Sequence, residues 1–216
     1  EEELLRIDTC WSVSIGLAMI DPVRGGVFQA RHLLMALDAG DLGRVARAVA
    51  VEVPFAATAG TSAHARTREL QRRGRELAER AGSPYNLGLL ASSSGGAAWR
   101  EGRWRDAFGL EEEALRILRE QCTGVAWEIA SSTIVYLDVL WRMGRWNELF
   151  EQVPAILADA TSRGDLLLEI YLRVKFRALG ELARGRPDDA VREAREGLAR
   201  WSQPSFQLLH LWELFL

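Results

Sequence analysis

Histidine and cysteine side chains are common metal ligands and catalytic groups, and in this chain they are scattered. The three histidines, His32, His64 and His210, lie far apart. Metal sites commonly use close pairs such as H-E-x-x-H or C-x-x-C, and neither spacing occurs. Of the two cysteines, Cys10 and Cys122, the second has no neighbouring base that would activate a thiol nucleophile. These patterns predict no metal, no cofactor and no catalytic residue.

Runs of acidic and small residues do not form a recognisable catalytic motif either. Adjacent residues of a helix diverge by ~100°, so the carboxylates of 111–113 and of 188–189 do not pair as acid and base. We expect 111–113 mostly to face solvent, and 188–189 to favour the first turn of a helix. The run 92–96, Ser-Ser-Ser-Gly-Gly, has no lysine after it, which indicates close helix packing and not a phosphate loop. G-x-G-x-x-G, H-R-D and D-F-G motifs are also absent, so we expect this chain not to be an enzyme.

Apolar residues recur with the period of an α-helix along almost the whole chain. The clearest stripe runs from Ala107 to Leu118, and strand-like alternation is scarce. Glycine and proline separate the periodic stretches, and Pro54 is expected to end one helix while Pro154 kinks another or delays its start. The pattern predicts eleven helices, over 3–20, 23–38, 41–53, 62–81, 84–100, 104–121, 125–142, 145–161, 166–183, 187–200 and 205–216.

Four turns share one pattern and divide the chain into similar pieces. Each has a glycine followed two residues later by a bulky or apolar residue, and the glycines are Gly40, Gly102, Gly144 and Gly185. They are 62, 42 and 41 residues apart, so the first interval must hold one additional helix, near 62–81. A period of this size is typical of stacked helical hairpins.

The best of these turns resembles the tetratricopeptide repeat. Gly102, Trp104, Ala107 and Ala114 match the glycine, aromatic and small positions of that consensus, with Gly95 at the small position of the preceding helix. The period is longer than the usual ~34 residues. The resemblance implies an all-α fold of stacked antiparallel hairpins in a right-handed superhelix. We expect one domain over 1–216, with repeat turns near 40, 102, 144 and 185.

Three segments carry a wider resemblance: Phe28–Leu37, Cys122–Glu128 and Ala199–Gln203. Together they are similar to the helical region that follows the catalytic domain in bacterial eukaryote-like serine/threonine protein kinases of the myxobacterial type. This resemblance covers the chain from about residue 25 onward. It implies a non-catalytic interaction or regulatory scaffold domain of such a kinase or of a related signalling protein. The alternative is the ligand-sensing superhelical arm of a multidomain ATPase or transcription regulator.

Composition limits the partners and the compartment. The 216 residues carry 27 basic and 30 acidic side chains, a net charge of −3, so bulk charge does not favour nucleic acid. No apolar run approaches the ~18 residues that span a bilayer. We expect a cytoplasmic protein whose two cysteines are reduced. A single disulfide between Cys10 and Cys122 is the alternative. The chain begins without methionine and stops inside an apolar run, which indicates a piece of a longer protein.

A partner-binding groove is expected on the face formed by the first helix of each pair. Aligning the turn glycines places Trp99 and Trp141 at equivalent positions, with Ser92 and Lys175 at another and Asp138 three residues before Trp141. Tryptophans among polar groups suit a protein or peptide partner, which includes the parent's own kinase domain. The alternative is that Trp99 and Trp141 belong to the core.

The additional helix near 62–81 offers a second candidate surface. It carries an excess of three arginines over acidic residues, and Arg72 and Arg73 are the positions we select for contact with an acidic or phosphorylated partner. A solvated face laced with ion pairs is the competing interpretation. A second copy of the chain is a further candidate partner, through the apolar end at 205–216.

Overall fold

Helices joined by short turns account for nearly all of the structure. It is a computed structural model that describes residues 1–18, 21–201 and 210. No strand occurs in this part of the chain, which confirms the predicted all-α class, and none of its helices combines the length and apolar composition needed to cross a membrane. The α-helices are α1 (Glu2–Ala18), α2 (Pro22–Ala39), α3 (Leu42–Ala57), α4 (His64–Ala81), α5 (Pro84–Arg100), α6 (Trp104–Gln121), α7 (Ala126–Arg142), α8 (Trp146–Arg163), α9 (Leu166–Tyr171), α10 (Ala178–Ala183) and α11 (Pro187–Ala199).

Local side chains explain where several helices begin and end. The carboxylate of Asp21 accepts the backbone N–H of Arg24 at 3.0 Å and caps α2, while Asp41 caps α3 through Arg44 at 2.9 Å. Gly40 ends α2 with φ at 69°, a left-handed conformation that glycine adopts without a steric penalty. The other predicted turn glycines also have positive φ, namely Gly102, Gly144 and Gly185.

Proline proved less disruptive than the sequence analysis expected. Pro54 does not end α3, which continues to Ala57, because a proline removes only its own hydrogen bond to residue i−4, here Ala50, and the residues after it can still donate to theirs. Pro154 does not delay α8 either, since that helix begins at Trp146 and contains the proline. The predicted helix at 205–216 lies outside the described residues, apart from His210.

The predicted helix at 166–183 is helical throughout but not uniform. A π-helical turn, Leu172–Arg177, separates α9 from α10 and contains the buried Lys175. Such turns hold an i→i+5 hydrogen-bond pattern that apolar periodicity does not reveal.

The chain divides into two compact units, Glu1–Val139 and Leu140–Leu216. In the first, sequential helices pack in pairs, α1 with α2, α3 with α4, and α5 with α6, and α3 also packs against α5. One apolar cluster joins Ile7, Ala36 and Val45, and another joins α3 to α5 through side chains such as Val53 and Leu89. α1 and α2 approach closely where the Ser14 hydroxyl donates to the Gly25 carbonyl at 3.0 Å.

The second unit contains α8 to α11, with the π-helical turn packed against α8 and α11. Its buried side chains include Leu149, Ile170 and Phe176. A polar network accompanies them, because the buried carboxylate of Glu169 accepts hydrogen bonds from Arg173 at 3.1 Å and from Arg200. The core is thus apolar with its buried carboxylate neutralised by arginine.

Candidate functional site

A row of polar contacts joins α5 to α7 within the first unit. Tyr85, Ser92 and Trp99 are spaced seven residues apart on α5, so they share one face of that helix. Their side chains meet three partners on α7: the Tyr85 hydroxyl donates to Glu128 at 2.9 Å, Ser132 bonds Ser92 at 2.7 Å, and the Trp99 indole N–H donates to Asp138. We call this row the α5–α7 seam.

Three residues predicted for the partner groove therefore meet in the α5–α7 seam. Ser92 and Trp99 are half-buried, and Asp138 is almost fully buried. The indole N–H of Trp99 supplies a donor to the buried carboxylate of Asp138, which such a group requires. These contacts position α5 against α7, and the assignment of the three residues to a partner groove stays a prediction.

Trp141 and Lys175 belong to the second unit. The rings of Trp141 and Trp146 stack with centroids 5.4 Å apart, and the Trp146 indole N–H donates to the Trp141 carbonyl at 3.0 Å. Lys175 is only 4% exposed, with its ammonium 5.1 Å from the ring centroid of Phe176. A partner reaching the second unit would therefore find an exposed Trp146 edge more readily than Lys175.

The arginines selected on α4 are held by acidic neighbours on their own helix. Arg72 donates to Glu69 at 2.8 Å and to Glu76 at 2.5 Å, and Arg73 donates to Glu69 at 2.6 Å. The hydrogen bonds from Arg72 and Arg73 lower the pKa of the Glu69 carboxyl to about 2. This arrangement matches the competing interpretation, a solvated face laced with ion pairs, and the partner role of Arg72 and Arg73 stays a prediction.

The sequence analysis missed a cleft of about 440 Å³ in the first unit. It opens where the start of α3, the end of α4 and the start of α5 meet α1. The polar residues of its lining include Asp8, Asp41, Arg44, Arg47, Arg80, Tyr85 and Asn86. We call this feature the Arg44–Arg47 cleft.

Asp8 fixes the two arginines that define the cleft. The Arg44 guanidinium donates to both oxygens of Asp8, at 3.1 and 2.6 Å, and Arg47 donates to Oδ1 at 2.6 Å. Partial burial raises the pKa of Asp8, but the hydrogen bonds from Arg44 and Arg47 outweigh it and hold the pKa below its usual value. Three fixed charges therefore lie side by side, two positive and one negative.

A tilted pair of rings, Trp11 and His32, lies beside Arg47 on the side of α1 and α2. The guanidinium of Arg47 lies 5.3 Å from the ring centroid of Trp11, and the His32 ring lies 5.7 Å from Trp11. Gln29 donates its amide to the Ala48 carbonyl at 2.9 Å, so its Oε1 must accept from Nδ1–H of His32 at 3.2 Å. Burial and the charge of Arg47 lower the pKa of His32 to about 4, so the imidazole is neutral near pH 7.

The same arginine retains unused hydrogen-bonding capacity. Nε of Arg47 is buried and has no hydrogen-bond partner among the described residues, and the same is true of Nε2 of His32. Arg47 is therefore oriented by Asp8 and Trp11 without all of its donors being saturated.

Glu111 corrects the expectation that residues 111–113 mostly face solvent. Its side chain is fully buried and occupies the space left by Gly95, where an added Cβ would lie 2.4 Å from Oε1 and 2.7 Å from the carboxyl carbon, so no larger residue fits without rearrangement. Burial raises the pKa of Glu111 well above its usual value, while Ser132 lowers it to a smaller extent. Burial therefore favours the protonated form of this carboxyl, which acts as a packing group of the core.

The polar groups of the first unit are concentrated in the Arg44–Arg47 cleft and the α5–α7 seam. The Arg44–Arg47 cleft offers guanidinium, carboxylate and amide groups, and no described cluster of histidine, cysteine and acidic side chains could hold a metal ion. No short motif could have revealed the cleft, because Asp8 stands 36 residues before Arg44 and meets it only when α1 lies against α3. Comparison of the sequence with protein-family models and with curated proteins finds no match.

Proposed function

We propose that this chain is a non-catalytic protein-binding module, built as a tetratricopeptide-like right-handed superhelix, within a larger bacterial signalling protein such as a serine/threonine kinase. The packing of α3 against both α4 and α5 supports the repeat architecture. In stacked hairpins the first helices of neighbouring pairs lie side by side and form a continuous binding surface. The kinase context rests on the sequence resemblance.

The Arg44–Arg47 cleft is the observation that carries the proposal. Three arginines and two aspartates line it, which leaves an excess of one positive charge. Arg44 and Arg47 are pre-oriented by Asp8, and a preorganised site loses less conformational entropy when a ligand binds. Guanidinium groups recognise carboxylates through paired hydrogen bonds. A peptide segment carrying an acidic side chain is therefore the partner that the cleft fits best.

The binding test uses peptides selected from a displayed random library against the chain. Selected sequences should contain Asp or Glu, and their affinity should fall as salt is added. Arg80→Glu, on the exposed end of α4, should weaken binding by about tenfold, equivalent to about 1.4 kcal/mol. Arg105→Glu makes the same charge change at an exposed residue of α6 that does not line the cleft. It should leave binding unchanged. Equal effects of the two variants would refute the assignment of the cleft.

The kinase context has a separate test. The DNA upstream of the codon for Glu1 should encode a catalytic domain with H-R-D and D-F-G motifs. A phosphate-loop ATPase domain there would favour the alternative, and a start codon with no preceding domain would leave a free-standing adaptor.

The volume of the cleft gives one observation in favour of that alternative, a ligand-sensing arm. Small-molecule sites commonly enclose about 300–1,000 Å³, and the cleft falls in that range. A metabolite screen by thermal shift would support a sensor if one compound raised the melting temperature in the wild type but not in Arg80→Glu.

A further inference from the structure

The outer face of α2 carries an apolar stripe that no described neighbour covers. Val23, Val27, Leu34 and Leu37 are 78%, 49%, 63% and 52% exposed, and Ala30 between them is also exposed. The inward face of the same helix is already occupied, since Gly25, Gln29, His32 and Ala36 are buried. An exposed row of this length is unusual for a helix that already has a buried face.

The spacing of the α2 stripe is that of a helix-pairing seam. Successive members are four, three, four and three residues apart, an average of 3.5. This is the repeat with which two helices keep their apolar seams in contact when they cross at about 20°. The stripe runs from Val23 to Leu37, which is 14 steps of about 1.5 Å, or about 21 Å of helix. It is long enough for a second helix of the same length to lie against it.

We infer that a second copy of this chain covers the α2 stripe, with the two α2 helices antiparallel and crossing at Ala30. A two-fold axis there places Val23 opposite Leu37 of the second copy and Val27 opposite Leu34, so that each layer joins a smaller to a larger side chain. Ala30 meets its own copy at the crossing, where a small side chain allows close approach.

Charge complementarity selects the antiparallel orientation. Arg24 and Asp38 are exposed and each directly follows the first or last member of the α2 stripe. The two-fold axis brings Arg24 of one copy beside Asp38 of the other, and it does so twice. Arg31 stands near the axis and faces its own copy, but its guanidinium is drawn over Phe28 of the same helix, 5.6 Å from the ring centroid. A parallel pair would bring Arg24 beside Arg24 and Asp38 beside Asp38.

The test is sedimentation equilibrium of the purified chain over a wide concentration range. The wild type should approach twice 24.1 kDa as concentration rises. Leu34→Glu should raise the dissociation constant at least tenfold while its circular dichroism spectrum and melting temperature stay unchanged, because Leu34 is exposed. Leu166→Glu, an apolar-to-acidic change at 39% exposure in the second unit, should not alter self-association.

Charge variants test the pairing without touching the apolar stripe. Arg24→Glu should weaken the dimer, and Arg24→Glu combined with Asp38→Arg should restore it, since the exchange recreates both ion pairs. If the two helices are parallel, the double variant will not recover the dimer affinity of the wild type.

Cysteine cross-linking tests the axis. With Cys10 and Cys122 replaced by serine, Ala30→Cys should form an intermolecular disulfide rapidly and Val23→Cys should not. A wild type that stays monomeric at all concentrations overturns the inference, as does a Val23→Cys variant that cross-links as fast as Ala30→Cys. A monomer destabilised by Leu34→Glu would instead assign the stripe to a segment of the same chain, and that result also overturns the inference.

Discussion

Glu111 and His32 are two titratable side chains that folding removes from water, and burial shifts the pKa of each in the direction that favours its neutral form. Burial penalises a charged group, so the pKa of an acid rises and that of an imidazole falls. The burial of Glu111 is not visible in the sequence. Glu111 stands in a run of three glutamates that looks solvent-facing, and only the proximity of Gly95 on α5 makes room for it. His32, by contrast, stands beside Leu33 and Leu34 in the sequence, a pattern typical of a packing histidine, and it contacts Trp11 and Gln29.

Replacing Glu111 by glutamine should stabilise the protein most at alkaline pH. The pKa of Glu111 is raised in the folded state, so the folded state binds more protons than the unfolded state above the ordinary value of 4.5. The free energy of unfolding therefore falls as the pH rises above this value. Glu111→Gln removes this loss and should raise the free energy of unfolding more at pH 8 than at pH 5.

Urea denaturation at pH 5 and pH 8 measures this difference. Glu112→Gln, an exposed neighbour, is the control and should shift neither value. Identical pH dependence in wild type and Glu111→Gln would show that the carboxyl is not buried in its neutral form.

His32 should destabilise the fold when the solution is made acidic. Its pKa is about 4 in the folded state against an ordinary 6.5, so the unfolded state binds more protons between those values. Stability rises with pH through this window and is lost as pH falls through it. The difference of pKa corresponds to about 3 kcal/mol.

An NMR titration of the imidazole protons tests that shift site by site. The His32 signals should show a midpoint near pH 4, if the protein stays folded there, and no change near pH 6.5. A midpoint near 6.5 would mean that Arg47 and burial do not control this ring.

At the scale of the helices, the sequence predicted element type and most boundaries well. The predicted bounds of 84–100 and 104–121 coincide with α5 and α6, because proline and glycine mark their ends. Two features could not be read from periodicity. The π-helical turn at Leu172–Arg177 keeps the apolar pattern of an α-helix, and α3 continues past Pro54 because that proline removes only its own hydrogen bond to residue i−4.

Contacts between helices were harder to predict than the helices themselves. The stacking of α3 on α5 and the α5–α7 seam depend on residues about 40 positions apart. Ser92, Trp99 and Asp138, which the groove alignment selected, all lie in the α5–α7 seam, and their role in a partner groove stays a prediction. The alignment could not place the Arg44–Arg47 cleft, which depends on α1.

Gly95, where α5 contacts α6, should tolerate replacement least among the glycines of these two helices. An alanine Cβ there would lie 2.4 Å from Oε1 of Glu111, so Gly95→Ala should lower the free energy of unfolding by roughly 1–3 kcal/mol through overpacking. Gly109 is exposed in the middle of α6 with no atom within 4 Å of such a Cβ. Gly109→Ala should therefore raise stability by about 0.5–1 kcal/mol through backbone entropy.

Thermal and urea unfolding of Gly95→Ala and Gly109→Ala measure these changes in the free energy of unfolding. Opposite signs are expected, and a tolerated Gly95→Ala would mean that α6 does not approach α5 as closely as described.

At the scale of the whole molecule, the all-α class is established for the described residues, while a single domain and a right-handed superhelix stay predictions. The kinase context and the partner role of Trp141, Lys175, Arg72 and Arg73 stay predictions too. A partner's identity is not encoded in helix periodicity, because periodicity reports which face is buried and not what an exposed face binds.

The most direct test of the protein-binding proposal is to map where a selected acidic peptide binds, by amide chemical-shift changes in ¹⁵N-labelled protein. The account predicts that the largest changes cluster at 41–47 and 80–86, around the Arg44–Arg47 cleft, and that they diminish in Arg80→Glu. Largest changes confined to α2 or to residues 140–201, with the cleft signals unmoved, would contradict it.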